Sequence, residues 1–242
     1  MHTFEATFPH GTCPIEGFGP LADSAAPIVL MYPDFFGRRP ESRAVAQELA
    51  AEGWRVLMPE FFYDIMPYEP IPPQSIFAGG EYREKLGAMI GRITQARIDA
   101  DTAALLAFAD AELGSAAPIA TTGYCMGGRY CLTTACASPR VRFAGAIHAG
   151  NIAPAEGDSA HHRFALAKGR IYIGVAGIDP MYGAEEHGRL AQALREADTD
   201  HVIETYHGCG HGWVFPDIQV YDAAAAARHM RRLKQHMAEV FA

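Results

Sequence analysis

Cys125 stands in the stretch GYCMGGR, residues 123–129, between an apolar run and a segment of helical pattern. A nucleophilic side chain flanked by small residues at a strand-to-helix corner is held out from a sharp turn. A thiol presented that way can attack a carbonyl carbon. Gly123 and Gly127 lack the bulk that such a strained corner would crush. A helix starting just after the cysteine points its N-terminus at the sulfur, favours thiolate, and offers the Met126 amide to a developing oxyanion. The alternative for the same residues is a buried structural cysteine in a glycine-rich turn.

A nucleophile also needs a base, and the base an orienting acid. Where such a corner occurs, the order along the chain is nucleophile, acid, histidine. The run IYIGVAGIDP puts Asp179 just past an apolar strand, and HVIETYHGCGHGW puts His211 in a glycine-flanked loop past the next one. Both fall at C-terminal strand ends, where ligands bind in open α/β sheets. Competing histidines are His207, which ends a strand without a flexible loop, and His161 and His162, expected in a polar, solvent-facing loop. His148 ends another strand and is a candidate for the pocket wall or for a satisfied core histidine. Asp158 and Asp217 are alternative acids, but neither directly follows an apolar strand. No group of histidines and carboxylates has metal-ligand spacing, so no metal or cofactor is expected.

These residues need strands and helices to carry them. PIVLMYP, WRVLMP, APIATTGY, RFAGAIHAG, GRIYIGVAG and HVIETYH read as strands, several apolar throughout as if buried on both faces. Helices are expected over Glu41–Gly53, Asp99–Leu113, from Gly127 to about Ser138, over AEEHGRLAQALREAD, and over the C-terminal YDAAAAARHMRRLKQHMAEVF. The first thirty residues read as short strands and turns. Residues 60–80 carry prolines and aromatics without periodicity and are expected to form a long loop. Strand and helix in alternation imply a mostly parallel sheet with helices on both faces. No linker divides the chain, so 1–242 is expected to be a single domain.

The 242 residues are 49% hydrophobic, enough for a large core. The net charge of −8 argues against a nucleic-acid partner, which requires a basic face. Five cysteines, an odd number without a CxxC pair, read as free thiols in a reducing compartment. With no signal peptide and no apolar run of about 20 residues, a cytoplasmic protein without a membrane partner is expected, as monomer or homodimer.

GYCMGGR, the AGIDP turn and GCGHGW together resemble the dienelactone hydrolase family of α/β hydrolases. VLMYPDFFGRRPESRAVAQELAAEGWRVLMPEFF is similar to that family's segment after its third strand. The resemblance runs from about Ile28 to the C-terminal helix. It implies an α/β-hydrolase fold, a small-molecule ester or lactone substrate, and Cys125, Asp179 and His211 as nucleophile, acid and base. It also implies the amide of Phe35 as a second oxyanion donor beside that of Met126. Asp34 occupies the place where the family often has a glutamate near the nucleophile. The dienelactone-cleaving members hold a substrate carboxylate with arginines, one shortly after the histidine; this chain has Phe215 there and no arginine. Arg83, Arg92 and Arg97 are alternatives from the preceding region, or solvated helix residues. The segment from Phe61 to Phe77, with Trp213, Phe35 and Tyr124, is expected to line a mainly apolar cleft suited to uncharged acyl groups. A different class remains open: a ligand- or oxidant-capturing sensor on the same fold, with little turnover.

Overall fold

The computed structural model describes the backbone of residues 1–68, 71–77, 81–114 and 116–242, and the side chains of these except 76, 77 and 81–83. Eight strands form one sheet: β1 (His2–Phe8), β2 (Gly11–Phe18), β3 (Ile28–Tyr32), β4 (Arg55–Pro59), β5 (Ile119–Tyr124), β6 (Val141–Ile147), β7 (Arg170–Ile178) and β8 (His201–Gly210). Their spatial order is β1-β2-β4-β3-β5-β6-β7-β8. β1, β2 and β4 pair antiparallel, while β4, β3, β5, β6, β7 and β8 run parallel.

Six α-helices pack on the sheet: α1 (Pro40–Ala50), α2 (Glu81–Gly91), α3 (Gln95–Leu113), α4 (Gly127–Ala137), α5 (Ala184–Glu196) and α6 (Ala223–Phe241). Alternation along β3 shows how two cores arise. Ile28, Leu30 and Tyr32 join a cluster with Leu105 of α3, Tyr130 of α4 and Leu190 of α5. Val29 and Met31 turn the other way, toward Leu49 of α1 and Leu233 of α6. All five residues are buried, which is why the strand reads as a continuous apolar run.

The helices between β4 and β5 depart most from the sequence expectation. α3 starts at Gln95 rather than Asp99, with Thr94 Oγ1 accepting the Arg97 N–H at 3.2 Å. The polar Gln95 and Arg97 disguise a buried first turn. Arg97 is not a solvated helix residue; it donates to Asp64 and to the Phe61 carbonyl. α2 precedes it, a helix not assigned from the sequence.

Residues 60–77 are less open than expected. Short 3-10 turns occupy Tyr63–Ile65 and Pro73–Phe77. Phe61, Phe62 and Tyr63 are buried. Phe61 packs 4.7 Å from Tyr130 between ring centroids, and the Tyr63 hydroxyl donates to Asp101 at 2.6 Å. These aromatics are core, a correction to their expected place on a cleft wall. Met66, Pro67, Tyr68, Ile71 and Pro72 do line a cleft of about 640 Å³, which they share with Phe36 and Arg39. Phe77 lies outside the described side chains.

Candidate active site

The corner after β5 is strained and crowded. Cys125 has φ +54°, a left-handed conformation that costs a non-glycine residue about 1–3 kcal/mol. Its N–H is anchored to the Ile147 carbonyl at 2.9 Å. A Cβ on Gly123 would lie 2.1 Å from the Gly127 carbonyl oxygen, and one on Gly127 would lie 2.4 Å from that of Pro33. Gly128 is equally confined, 2.3 Å from the Ala149 Cβ by the same construction. Sequence reasoning singled out the first two glycines and passed over the third, whose constraint comes from the strand next door.

The contact of Gly127 with Pro33 sets the loop after β3 against the corner, bringing Asp34 and Phe35 beside Met126 and the N-terminus of α4. Neither the Phe35 nor the Met126 amide makes a backbone hydrogen bond among the described residues. All five cysteines are free; Cys13, Cys131, Cys136 and Cys209 are buried, and Cys125 alone is partly exposed. Burial pushes the thiols of Cys13, Cys131 and Cys136 up to about 12.

Asp179 and His211 follow β7 and β8 directly. His211 Nδ1 and Asp179 Oδ2 are 2.7 Å apart. The other carboxylate oxygen of Asp179 accepts the Met181 N–H at 2.8 Å, so both oxygens are fixed and the side chain is buried. His211 Nε2 is buried and makes no hydrogen bond among the described residues. Burial alone would lower the imidazole pKa. The nearby Cys125 and the hydrogen bond to Asp179 outweigh it and raise His211 to about 10. Asp179 and His211, 54 and 86 residues beyond Cys125 along the chain, are thus in hydrogen-bond contact.

His148 lies beside this group with φ +38°, its ring centroid 5.1 Å from that of His211 and 5.1 Å from that of Trp213. It is fully buried, and neither ring nitrogen has a partner among the described residues. Burial, then the nearby His211, hold it well below the ordinary histidine range, so it is neutral. Trp213 is also fully buried, stacked on Tyr206.

Two expected pocket residues are placed elsewhere. Tyr124 points to the opposite face of the sheet, its hydroxyl 3.1 Å from His229 Nε2. Tyr124 packs in one core and Cys125 against the other, although the Tyr124 ring backs His148 at 5.9 Å and Phe215 at 5.2 Å between centroids. Arg92 is committed to Asp64 at the surface near Pro9 and His10. Arg83 lies outside the described side chains. Among the competing histidines, His162 is exposed as expected and His207 is exposed too, whereas His161, expected to face solvent, is buried and packs 3.8 Å from His162 between ring centroids. Asp158 is exposed.

Arg39 is the residue that sequence reasoning missed. Its guanidinium lies 4.6 Å from the centre of the Phe215 ring, which in turn is 6.1 Å from His148. Arg39 donates to both oxygens of Asp34, at 2.6 and 2.9 Å, and to both of Asp217, at 2.6 and 3.2 Å. A positive charge therefore does reach Phe215, from a loop 176 residues earlier in the chain. Burial raises the Asp34 carboxyl above its ordinary range while Arg39 pulls it back.

Among the described residues no group of three or more metal-ligating side chains is present, and no helix is long and apolar enough to cross a membrane. A sequence model of the dienelactone hydrolase family matches residues 16–241. A Synechocystis protein provisionally named a carboxymethylenebutenolidase is 24% identical over 244 residues, covering 97% of this chain and 96% of its own. A Salmonella typhi protein of the same provisional name is 24% identical over 224 residues, 90% of this chain and 79% of its own. The dienelactone hydrolase-like promiscuous phosphotriesterase P91 from metagenomic libraries shares the fold with a TM-score of 0.80. It is 20% identical, over 100% of this chain and 98% of that one.

Proposed function

The chain belongs to the dienelactone hydrolase family, and on that premise we propose that it hydrolyses a small carboxylic ester or lactone through a thioester on Cys125. The single observation that carries this reading is the 2.7 Å contact between Asp179 and His211. It sits in a ring whose other nitrogen is unpartnered and whose charge is favoured by Cys125. Asp179 fixes the tautomer and orientation of His211 and stabilises its charged form. Cys125 Sγ attacks the carbonyl carbon, and the resulting oxyanion is held by the amides of Phe35 and Met126. The tetrahedral species collapses with loss of the alkoxide, which takes its proton from His211. Water, deprotonated by His211, then attacks the thioester; the carboxylic acid leaves and the thiolate is restored.

The test is hydrolysis of a chromogenic aryl ester by wild type, Cys125→Ala and His211→Ala, each checked for folding by circular dichroism. Both variants are expected to lose on the order of 10³-fold or more in kcat/KM. Because the residues act as a unit, the double variant should be little worse than either single one. Substantial hydrolysis by a folded Cys125→Ala would remove the mechanism.

A further inference from the structure

Among the described side chains, the Arg39 guanidinium approaches the proposed reaction centre through Phe215 and His148, and carboxylates already match it and more than match it. Arg39 spends four hydrogen bonds on Asp34 and Asp217, and a third carboxylate, Glu41, lies 3.8 Å from its Nε. A guanidinium has five N–H donors, so one remains. Phe36 and Phe215 cover two sides of the group, 5.4 and 4.6 Å from the guanidinium carbon to the ring centres. Arg38 and Arg43, which line the same cleft, follow the same pattern. Arg38 pairs with Glu16 and Glu60, and Arg43 with Glu16. Three arginines thus face five carboxylates, Glu16, Asp34, Glu41, Glu60 and Asp217, and the corner is net negative.

Asp34 and Asp217 are not equivalent. Asp34 is held by its own loop, where Oδ1 also accepts the Phe36 N–H at 3.0 Å. Asp217 comes from the segment after His211, 178 residues from Arg39 in the chain. It is the counter-ion that comes from the histidine's side of the site.

We propose that Asp217 sets the substrate class: by saturating Arg39 it turns the site against anionic esters, so that the protein acts on uncharged ones. The inference rests on the assignment of Cys125 and His211 as an ester-cleaving pair. Among the described side chains of this cleft, a carboxylate on the acyl group would find no guanidinium free of carboxylate partners. It would meet the field of Asp217 and Glu41 in a half-buried setting where charges are weakly screened. Removing the charge of Asp217 releases donors of Arg39 and weakens the negative field that an anion meets at this corner.

The experiment compares 4-nitrophenyl butyrate with the anionic 4-nitrophenyl hemisuccinate, in wild type and Asp217→Asn. Asparagine keeps the size of the side chain and one acceptor for Arg39. The kcat/KM ratio of anionic to neutral ester should rise about tenfold or more in the variant. In the wild type, raising salt from about 0.02 to 0.5 M should lift the same ratio, because screening weakens the repulsion. That measurement needs no variant to fold. A wild-type ratio that falls with salt, or a ratio unchanged or lowered in Asp217→Asn, would overturn the proposal. A lowered ratio would mean that Asp217 holds Arg39 in place for a substrate carboxylate. Turnover of neither ester would instead overturn the ester-cleaving assignment, and this inference with it.

Discussion

Tyr124 and Cys125 are neighbours in the chain, and each meets a histidine on its own side of the sheet. On one side the Tyr124 hydroxyl lies 3.1 Å from His229 Nε2, under α6. On the other, Cys125 is among the groups that raise the pKa of His211. Both rings are largely or wholly buried, and burial pushes both toward neutrality. His229 has only a distant carboxylate, Glu204, to oppose it, and falls to about 3. His211 has Asp179 in hydrogen-bond contact and Cys125 beside it, and rises to about 10. Depth does not separate a structural histidine from a reactive one here; the anions within reach do.

The largest expected effect that would break this contrast is on catalysis. Asp179→Asn removes the anion and disturbs the tautomer of His211 while keeping the shape. It should cost about 10²–10⁴-fold in kcat/KM. Tyr124→Phe, one residue from the nucleophile, should leave kcat/KM within about threefold and cost only about 1 kcal/mol of stability, the worth of one buried hydrogen bond. A large rate loss in Tyr124→Phe, measured with an aryl ester, would show that the two faces are coupled.

A smaller effect sharpens the contrast through pH. The raised pKa of His211 contributes stability that is fully present below about 6.5 and is lost as pH rises through about 10. The urea midpoint of wild type should therefore drop relative to His211→Gln between about pH 6.5 and 10.5. The depressed pKa of His229 works the other way. Its contribution is present above about 6.5 and is lost as pH falls from there through about 3. Wild type should lose ground to His229→Gln on acidification. A His211→Gln difference that stays flat to about pH 10.5 would mean that the ring is neutral and pairs with no thiolate.

How far these features are legible in the chain depends on the range of the forces behind them. Gly123 is readable because its crowding comes from Gly127, four residues on, and Gly127, though crowded by Pro33, is readable because it falls in the same short motif around Cys125. Asp179 and His211 are readable because each directly follows an apolar strand, and a parallel sheet brings such ends to one edge. Gly128 is confined by Ala149 of a neighbouring segment, and Arg39 takes its place from a pairing with Asp217 across 178 residues; no local pattern records either. Phe61, Phe62 and Tyr63 lack periodicity because they enter the core from a turn that leads into the short 3-10 segment Tyr63–Ile65, not from a helix or strand. The start of α3 was hidden for a related reason: Arg97 is polar by type and buried by virtue of Asp64 and Asp101.

The central claim is that Cys125 carries the acyl group. Intact-mass spectrometry of protein quenched in acid after mixing with 4-nitrophenyl pivalate tests it most directly, since the hindered acyl group slows attack by water on the thioester. The account predicts one pivaloyl group per chain, mapped to the peptide containing Cys125 and absent from Cys125→Ala. Release of 4-nitrophenol with Cys125 unmodified, or a pivaloyl group on another residue of an active Cys125→Ala, would contradict it.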